Sequence, residues 1–360
     1  MNLCTNNTNS ILISDLIYHN LIKESDVKDG QCDGEGVFIY DVLGNLTDND
    51  FDFLNKIKCK KLLIDTSSND GIGKAVYKSL NKKLKRDFKV ISKSLDFKEL
   101  NYLYYDQQMF RMKDFVDILD SYDDLQKDFN RNYLLPQKKG MFFAGHPRFH
   151  KLKILNFLHL NNLLDSLYWT SSKIDYDLPK GITWVHDVQD RDDEYLSFDV
   201  IKLLPKKLDY KYETSNHHLV SIGITINWGF YLNSCFDIVG ETCFYDDNFI
   251  HHVSEKTLKP ILCGMPFIML NYPQTIKKLE DNFGFNFSYD IWTHDYDDIT
   301  NSEERLNSIE KQLKKILTYS REDLKEFSYQ YKLQTKQNRD ILINEFWKGS
   351  LKRIVEYINE

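Results

Sequence analysis

Apolar positions in the first hundred residues fall into short runs separated by polar stretches with helical spacing. Residues 11–14, 37–40, 62–64 and 90–91 read as strands, the second and third ending at Asp41 and Asp65, and residues 73–84 read as a helix. A polar stretch at 121–139, containing Pro136, marks a boundary, after which the alternation resumes. Residues 141–144 form a strand, Gly145-His146-Pro147-Arg148 a turn, and 151–163 a helix. Strands at 219–226 and 236–240 follow, then a helix over 254–263 stopping at Gly264, a strand at 266–270, and a helix over 274–283 stopping at Gly284. The tail is helical: Leu306, Ile309, Leu313, Ile316 and Leu317 make one stripe, Ser320 caps a further helix, and Leu351, Ile354, Val355 and Ile358 line a last one.

Strands alternating with helices predict an α/β fold with parallel sheets, and such sheets bind ligands at the carboxyl ends of their strands. Three parts are expected: an N-terminal Rossmann-like domain over 1–138, a second over 139–325, and C-terminal helices over 326–360 packing back across the domains. A chain of 360 residues has room for both domains, and 42% hydrophobic against 28% charged residues suffices for sizeable cores. Its 47 basic and 54 acidic residues give a formal net charge of -7, which disfavours a broad grip on nucleic acid and leaves only a local basic patch as a route to DNA. The N-terminus lacks the basic and apolar regions of a signal peptide, and no run approaches ~20 apolar residues, so neither secretion nor membrane insertion is expected. The cysteines at 4, 32, 59, 235, 243 and 263 contain no C-x-x-C pair, and the expectation is reduced thiols in a cytoplasm, that of a host if the chain is viral.

The most informative stretch runs from Asn233 to Pro266. Ser254 is a good N-cap and Glu255 suits a first helical turn, but Lys256 places a cation at the positive end of the helix dipole. An anion bound there removes the conflict, because backbone N–H groups and Lys256 then face it together. A diphosphate fits, with Glu255 accepting from a ribose diol. Pro260, inside the helix, deletes the hydrogen bond to the Lys256 carbonyl and should bend it. On helix physics alone, Glu255 and Lys256 read equally as solvated residues.

Glu241-Thr242, then Ser254-Glu255-Lys256-Thr257-Leu258-Lys259-Pro260, then Gly264-Met265-Pro266-Phe267-Ile268, resembles the nucleotide-sugar region of α-1,3-fucosyltransferase-like enzymes, and more closely glycosyltransferases of phages and large viruses. Gly284-Phe285-Asn286-Phe287, Tyr296-Asp297 and Glu304-Arg305 continue the likeness, as do residues 141–163, Leu163-Leu164-Asp165 and Trp169 upstream. It covers roughly residues 140–310. The resemblance implies a GT-B-like enzyme, with two Rossmann-like domains facing a cleft, no catalytic metal or added cofactor, and a nucleotide-diphosphate sugar held by the second domain. Glu255 would contact the ribose and Lys256 the diphosphate. Where relatives carry an Arg at the upstream helix start, this chain has Lys151, with Arg148 just before it, so either or both take the phosphate. The donor set implied is then Asn233, Glu241, Ser254, Glu255, Lys256, Thr257 and Lys259, with His146, Arg148 and Lys151. The sugar, a hexose or deoxyhexose, goes to a hydroxyl of a glycan or of a modified DNA base.

An inverting transfer needs a base for the acceptor hydroxyl. Asp41, Asp65 and Asp15 are candidates by position, each of which reads also as a turn or loop residue. Two rival functions are a nucleotide-sugar-binding protein without chemistry and a metal-dependent glycosyltransferase of the other fold, using Asp295 and Asp297; Asp175-Tyr176-Asp177 matches the same D-x-D pattern, and such matches are expected by chance in an Asp-rich chain. Gly71-Ile72-Gly73-Lys74 lacks the full phosphate-loop spacing. His217-His218 and His251-His252 read as loop or strand histidines, because neighbours in an extended segment point apart. His146 and His150 flank the proposed phosphate turn and read first as structural. Trp169 and Trp228 are candidate sugar-stacking rings.

Overall fold

The computed structural model describes residues 3–8, 10–30, 32, 34–42, 46–66, 74–97, 102–106, 109, 135–145, 148–171, 198–206, 226, 228–242, 244–245, 251 and 253–360. Two compact units emerge: 1–113 with 247–252 and 341–360, and 114–246 with 253–340. The polar stretch in which the sequence put a boundary lies outside the described residues up to 134.

The first unit is built on six parallel strands in the order β2-β1-β3-β4-β5-β6. They are β1 (Leu3–Thr5), β2 (Val27–Asp29), β3 (Val37–Asp41), β4 (Lys61–Asp65), β5 (Lys89–Ser92) and β6 (Leu103–Tyr104). Helices α1 (Ile11–Tyr18), α2 (Asp48–Lys56) and α3 (Lys74–Lys83) connect them. The central strands are largely buried: Phe38, Ile39, Leu63 and Ile64 are each 0% exposed, as expected for strands covered on both faces. Across β3 and β4, Asp41 pairs in register with Asp65. Residues 11–14, expected as a strand, are the first turn of α1. The apolar run is too short to set a period alone; it continues through Leu16, so that Leu12, Ile13 and Leu16 bury one helical face.

The second unit has four parallel strands in the order β10-β9-β7-β8. They are β7 (Gly140–Phe143), β8 (Leu167–Thr170), β9 (Asp237–Gly240) and β10 (Phe267–Leu270). Around them lie α4 (Phe149–Leu160), α5 (Trp228–Leu232), α6 (Glu255–Leu262), α7 (Thr275–Phe283), α8 (Ser302–Ile316), α9 (Arg321–Gln330) and α10 (Lys332–Ile341). Gly284 ends α7 at φ +82°, a conformation that costs glycine nothing. Ser320 caps α9 in a box with Asp323. The motifs Gly284-Phe285-Asn286-Phe287 and Tyr296-Asp297 serve this core: the Phe285 and Phe287 rings stack at 5.4 Å, and the Tyr296 hydroxyl accepts from the Met269 amide at 3.0 Å. The strand expected at 219–226 lies outside the described residues but for Ile226.

In the first unit the chain closes with a π-helical stretch, Leu342–Gly349, and α11 (Ser350–Asn359). Both folds are α/β with parallel sheets, compatible with a Rossmann-like architecture. Among the described residues no helix is long and apolar enough to cross a membrane. Cys4 and Cys32 stand as a disulfide with Cα atoms 5.7 Å apart, which corrects the expectation that every cysteine is a free thiol. Cys59, Cys235 and Cys263 remain thiols, and Cys243 lies outside the described residues.

Candidate functional site

The order of the second sheet locates a crevice. From β7 the chain crosses through α4 to β8 on one side, and from β9 it crosses through α6 to β10 on the other. Since β7 and β9 are neighbours, their carboxyl ends diverge into two helices, the switch point at which open parallel sheets bind ligands. The starts of α4 and α6 are therefore brought together.

At the first of these starts, Gly145 adopts φ +57°, turning the chain out of β7, and Arg148 is the N-cap of α4 without a side-chain cap bond. His146 lies outside the described residues. Lys151 is 1% exposed, and among the described residues its one hydrogen bond is from Nζ to the Ala144 carbonyl at 3.1 Å. Burial first, and the neighbouring cations Lys256 and Arg148 second, hold its ammonium well below the usual lysine range. Gly240 makes room for this side chain: a Cβ there would stand 3.1 Å from Lys151 Cε. Next to Lys151, His150 is fully buried and stacks on Phe244 at 5.1 Å; its Nε2 donates to the Glu241 carbonyl at 3.0 Å. Burial above all, then Lys151, keeps its ring neutral, so it braces the end of β9 and carries no charge toward a ligand.

The second start is built around a carboxylate. Glu241, 1% exposed, accepts from the Ser254 amide at 2.9 Å, the Ser254 hydroxyl at 2.6 Å and the Thr257 hydroxyl at 2.5 Å. Its burial favours the neutral acid, but Lys256 and these bonds outweigh burial and bring the carboxyl below its ordinary range. The Ser254 side chain caps the Lys256 amide at 3.3 Å. Lys256 Nζ reaches Glu255 at 2.7 Å and Ser254 Oγ at 3.2 Å, so the cation that the sequence places against the dipole is shared with its neighbours here. Lys259 lies one turn further on; burial lowers it to about 8, with Glu255 opposing that fall and Lys256 adding to it. Pro260 stands inside α6 as read from the sequence.

Arg148, Lys151, Glu241, Ser254, Glu255, Lys256 and Thr257 thus belong to one neighbourhood, with Glu241 and Thr257 holding the helix and the cations lining it. Asn233 does not join them. It precedes β9 at the amino end of the sheet, where its carbonyl accepts from the Lys138 amide at 3.1 Å and its amide donates to Gly229 at 2.8 Å. Arg305 backs the site from beneath: it is 2% exposed, lies 4.3 Å over the Phe244 ring and donates to the Phe244, Ile299 and Thr300 carbonyls. Gly240 and the buried role of Arg305 were not read from the sequence, where Arg305 stood only as part of a motif; a glycine closing a strand next to the helix-capping residues was the available signal.

Of the first unit's carboxylates, Asp15 is 0% exposed and accepts from Tyr105 Oη at 2.9 Å and Trp347 Nε1 at 2.8 Å. Asp41 lies at that unit's own switch point, between β1 and β3. Its Oδ2 accepts from Asn7 at 2.9 Å and its backbone is clasped by Asn6; burial raises its pKa, while bonds from Asn7 and Ser10 oppose the rise. Asp65 is 2% exposed beside it. Asp297 is occupied at the start of α7, where Oδ2 accepts from the Lys277 amide at 3.0 Å. Among the described residues no group of three or more His, Cys, Asp or Glu side chains converges to hold a metal. Asp175, Asp177, His217, His218, His252, Gly71–Gly73 and the Trp228 side chain lie outside the described residues, and Trp169 is a buried residue of β8, 7% exposed. Comparison of the chain with protein-family models, curated proteins and solved structures returns no match.

Proposed function

We propose that the chain is a metal-independent glycosyltransferase of GT-B-like organisation, taking a sugar from a nucleotide-diphosphate donor and passing it to a hydroxyl of a glycan or modified DNA base. The observation that carries this reading is the meeting of two helix starts with Arg148, Lys151 and Lys256 at one switch point. Three cations against the two carboxylates Glu241 and Glu255 leave a net positive charge, and both helix dipoles add to it. A diphosphate would supply buried Lys151 with countercharge beyond that of Glu241 and Glu255. Lys256 then exchanges Glu255 for phosphate, and Glu255 turns to the ribose hydroxyls. As the sugar–phosphate bond ionises, negative charge grows on the leaving diphosphate, where these fixed cations stabilise it.

A protein that holds the same donor without turnover is the second reading, favoured by the burial of Asp15, Asp41 and Asp65. Donor hydrolysis separates the two. The first test is a thermal-shift panel of nucleoside diphosphates and nucleotide sugars, with and without EDTA. Diphosphates should raise Tm by mass action in both conditions, and nucleosides alone should not. Lys256→Ala should weaken binding by ~1–3 kcal/mol through loss of a charged hydrogen bond. A flat panel, or unchanged affinity in this variant, removes the site.

A further inference from the structure

The amino ends of the strands in the first unit carry a charge that the acidic residues at their carboxyl ends do not explain. The turn from α2 into β4 holds Lys56, Lys58, Lys60 and Lys61, and the turn from α3 into β5 holds Lys82, Lys83, Lys85, Arg86 and Lys89. Asp87 is the one acid within these two segments, in a chain whose formal net charge is -7. Parallel pairing of β4 with β5 sets the turns side by side, and side chains fasten them together. Arg86 donates to the Cys59 carbonyl at 2.8 Å and to the Ile57 carbonyl, while Asn55 donates to the Lys83 carbonyl at 3.1 Å and accepts from the Lys85 amide at 2.8 Å. Lys56, Lys82 and Lys83 close their helices, where cations suit the dipole; the others lie beyond the helix ends. Some of the charge is answered locally. Lys83 pairs with Asp48 at 2.8 Å, and Lys61 and Lys89 lie over the Tyr357 ring at 4.6 and 5.7 Å, with Asp87 and Glu360 nearby. Lys56, Lys58, Lys60, Lys82 and Lys85 remain, all exposed and without an ion pair among the described residues.

We propose that these two turns form a docking surface for the phosphate backbone of duplex nucleic acid. Like charges gathered on one edge repel, and a polyanion relieves that repulsion. The kind of polyanion follows from what accompanies the lysines. A protein that lies on a membrane adds apolar side chains that sink into it. Here Ile57 and Leu84 are buried and Phe88 packs against the core, so the turns offer nothing to insert. Single strands are held by rings on which their bases stack, and the one ring within these segments is that of Phe88. A duplex asks only for positive charge: it carries one phosphate charge per ~1.7 Å of its axis. Lysine, a point charge on a flexible stem, meets phosphates without reading bases. The surface lies at the end of the sheet opposite Asp41 and Asp65, so it holds a duplex and takes no part in chemistry at their end. Nothing in it depends on a bound nucleotide sugar.

The test is fluorescence anisotropy of a labelled DNA duplex of about 30 base pairs with the full chain, titrated across NaCl. For about five phosphate contacts, log Kobs against log[NaCl] should fall with a slope of about -4 to -5, a loss of about 500-fold between roughly 50 and roughly 200 mM. Duplexes of unrelated sequence should bind alike. Lys58→Gln/Lys60→Gln/Lys85→Gln should make that slope shallower by about 3 and weaken binding equally on every sequence. Lys311→Gln/Lys314→Gln/Lys315→Gln removes the same charge from exposed positions of α8 and should bind as wild type does. Lys85→Gln alone, with a slope shallower by about 1, stands in if the triple variant does not fold. No duplex binding by the wild-type chain, equal losses in the two triple variants, or tighter binding of a single strand of the same length overturns the proposal. So does capture by phosphatidylserine vesicles with no binding of duplex, which would give the surface to a membrane.

Discussion

The two units solve the same topological problem with opposite charge. In each, adjacent strands send their connections in opposite directions and open a crevice at their carboxyl ends. In the first unit that crevice is lined by Asp41, closed by Asn6, Asn7 and Ser10, with Asp65 beside it and Asp15 buried nearby. In the second it gathers Arg148, Lys151 and Lys256, and the deeply buried carboxylate there, Glu241, is turned onto the helix start. Topology therefore sets the place of each crevice, and the side chains there set its charge. The first crevice satisfies itself, while the second carries a buried ammonium with a single carbonyl partner among the described residues.

Removing the anchor of the self-satisfied side should produce the largest effect. Asp15→Ala strands two buried donors, Tyr105 Oη and Trp347 Nε1, and should cost roughly 2–6 kcal/mol of unfolding free energy in urea titrations at ~1–3 kcal/mol per orphaned group. Wild-type stability would return Asp15 to the list of candidate bases.

The next probe asks whether the second unit's positive charge is confined to the carboxyl ends of its strands. At the amino end of β9, burial raises Asp237 to about 7 from 3.8, with a weak opposing bond from Tyr231 at 3.5 Å. A carboxyl with a raised folded-state pKa stabilises the fold while protonated, fully below pH ~4, and that contribution is lost as pH rises toward 7. Asp237→Asn should flatten this slope and leave the variant more stable at pH 8 by up to ~4 kcal/mol, since each pH unit between the two values is worth about 1.4 kcal/mol. A pH profile of Tm unchanged by the substitution would place the slope elsewhere.

Smallest and most telling is Lys151→Met, which keeps the stem and removes the charge. It should raise unfolding free energy by ~1–3 kcal/mol, because a buried cation is replaced by apolar volume. The same change should weaken GDP or UDP binding by about 10- to 100-fold. Stability and affinity moving in opposite directions would mark Lys151 as held for a ligand; both falling together would make it a packing residue.

Much of the second unit was legible in sequence because its signals are local. Ser254 before Glu255-Lys256, Gly264 after the helix and Gly284 at the end of α7 are punctuation whose meaning depends on a few neighbouring residues. The first unit was harder. Residues 11–14 read as a strand because four apolar-rich positions carry no period of their own; packing of Leu12, Ile13 and Leu16 settles them as helix. Strand β1, only three residues long, sits in a polar-looking N-terminus and is recognised by its neighbours β2 and β3. The Asp96–His251 pair and the Cys4–Cys32 disulfide join residues far apart in the chain, which no spacing rule reaches. Nor did sequence distinguish the tasks of Glu241 and Glu255, since only the fold shows which of two nearby carboxylates faces its own helix.

With Glu241 bracketing Ser254 and Thr257, the first turn of α6 is already wound and held by the protein itself. On the proposed donor reading, an incoming phosphate would not need to organise the backbone that receives it. Little of its contact energy would then be consumed in ordering the chain.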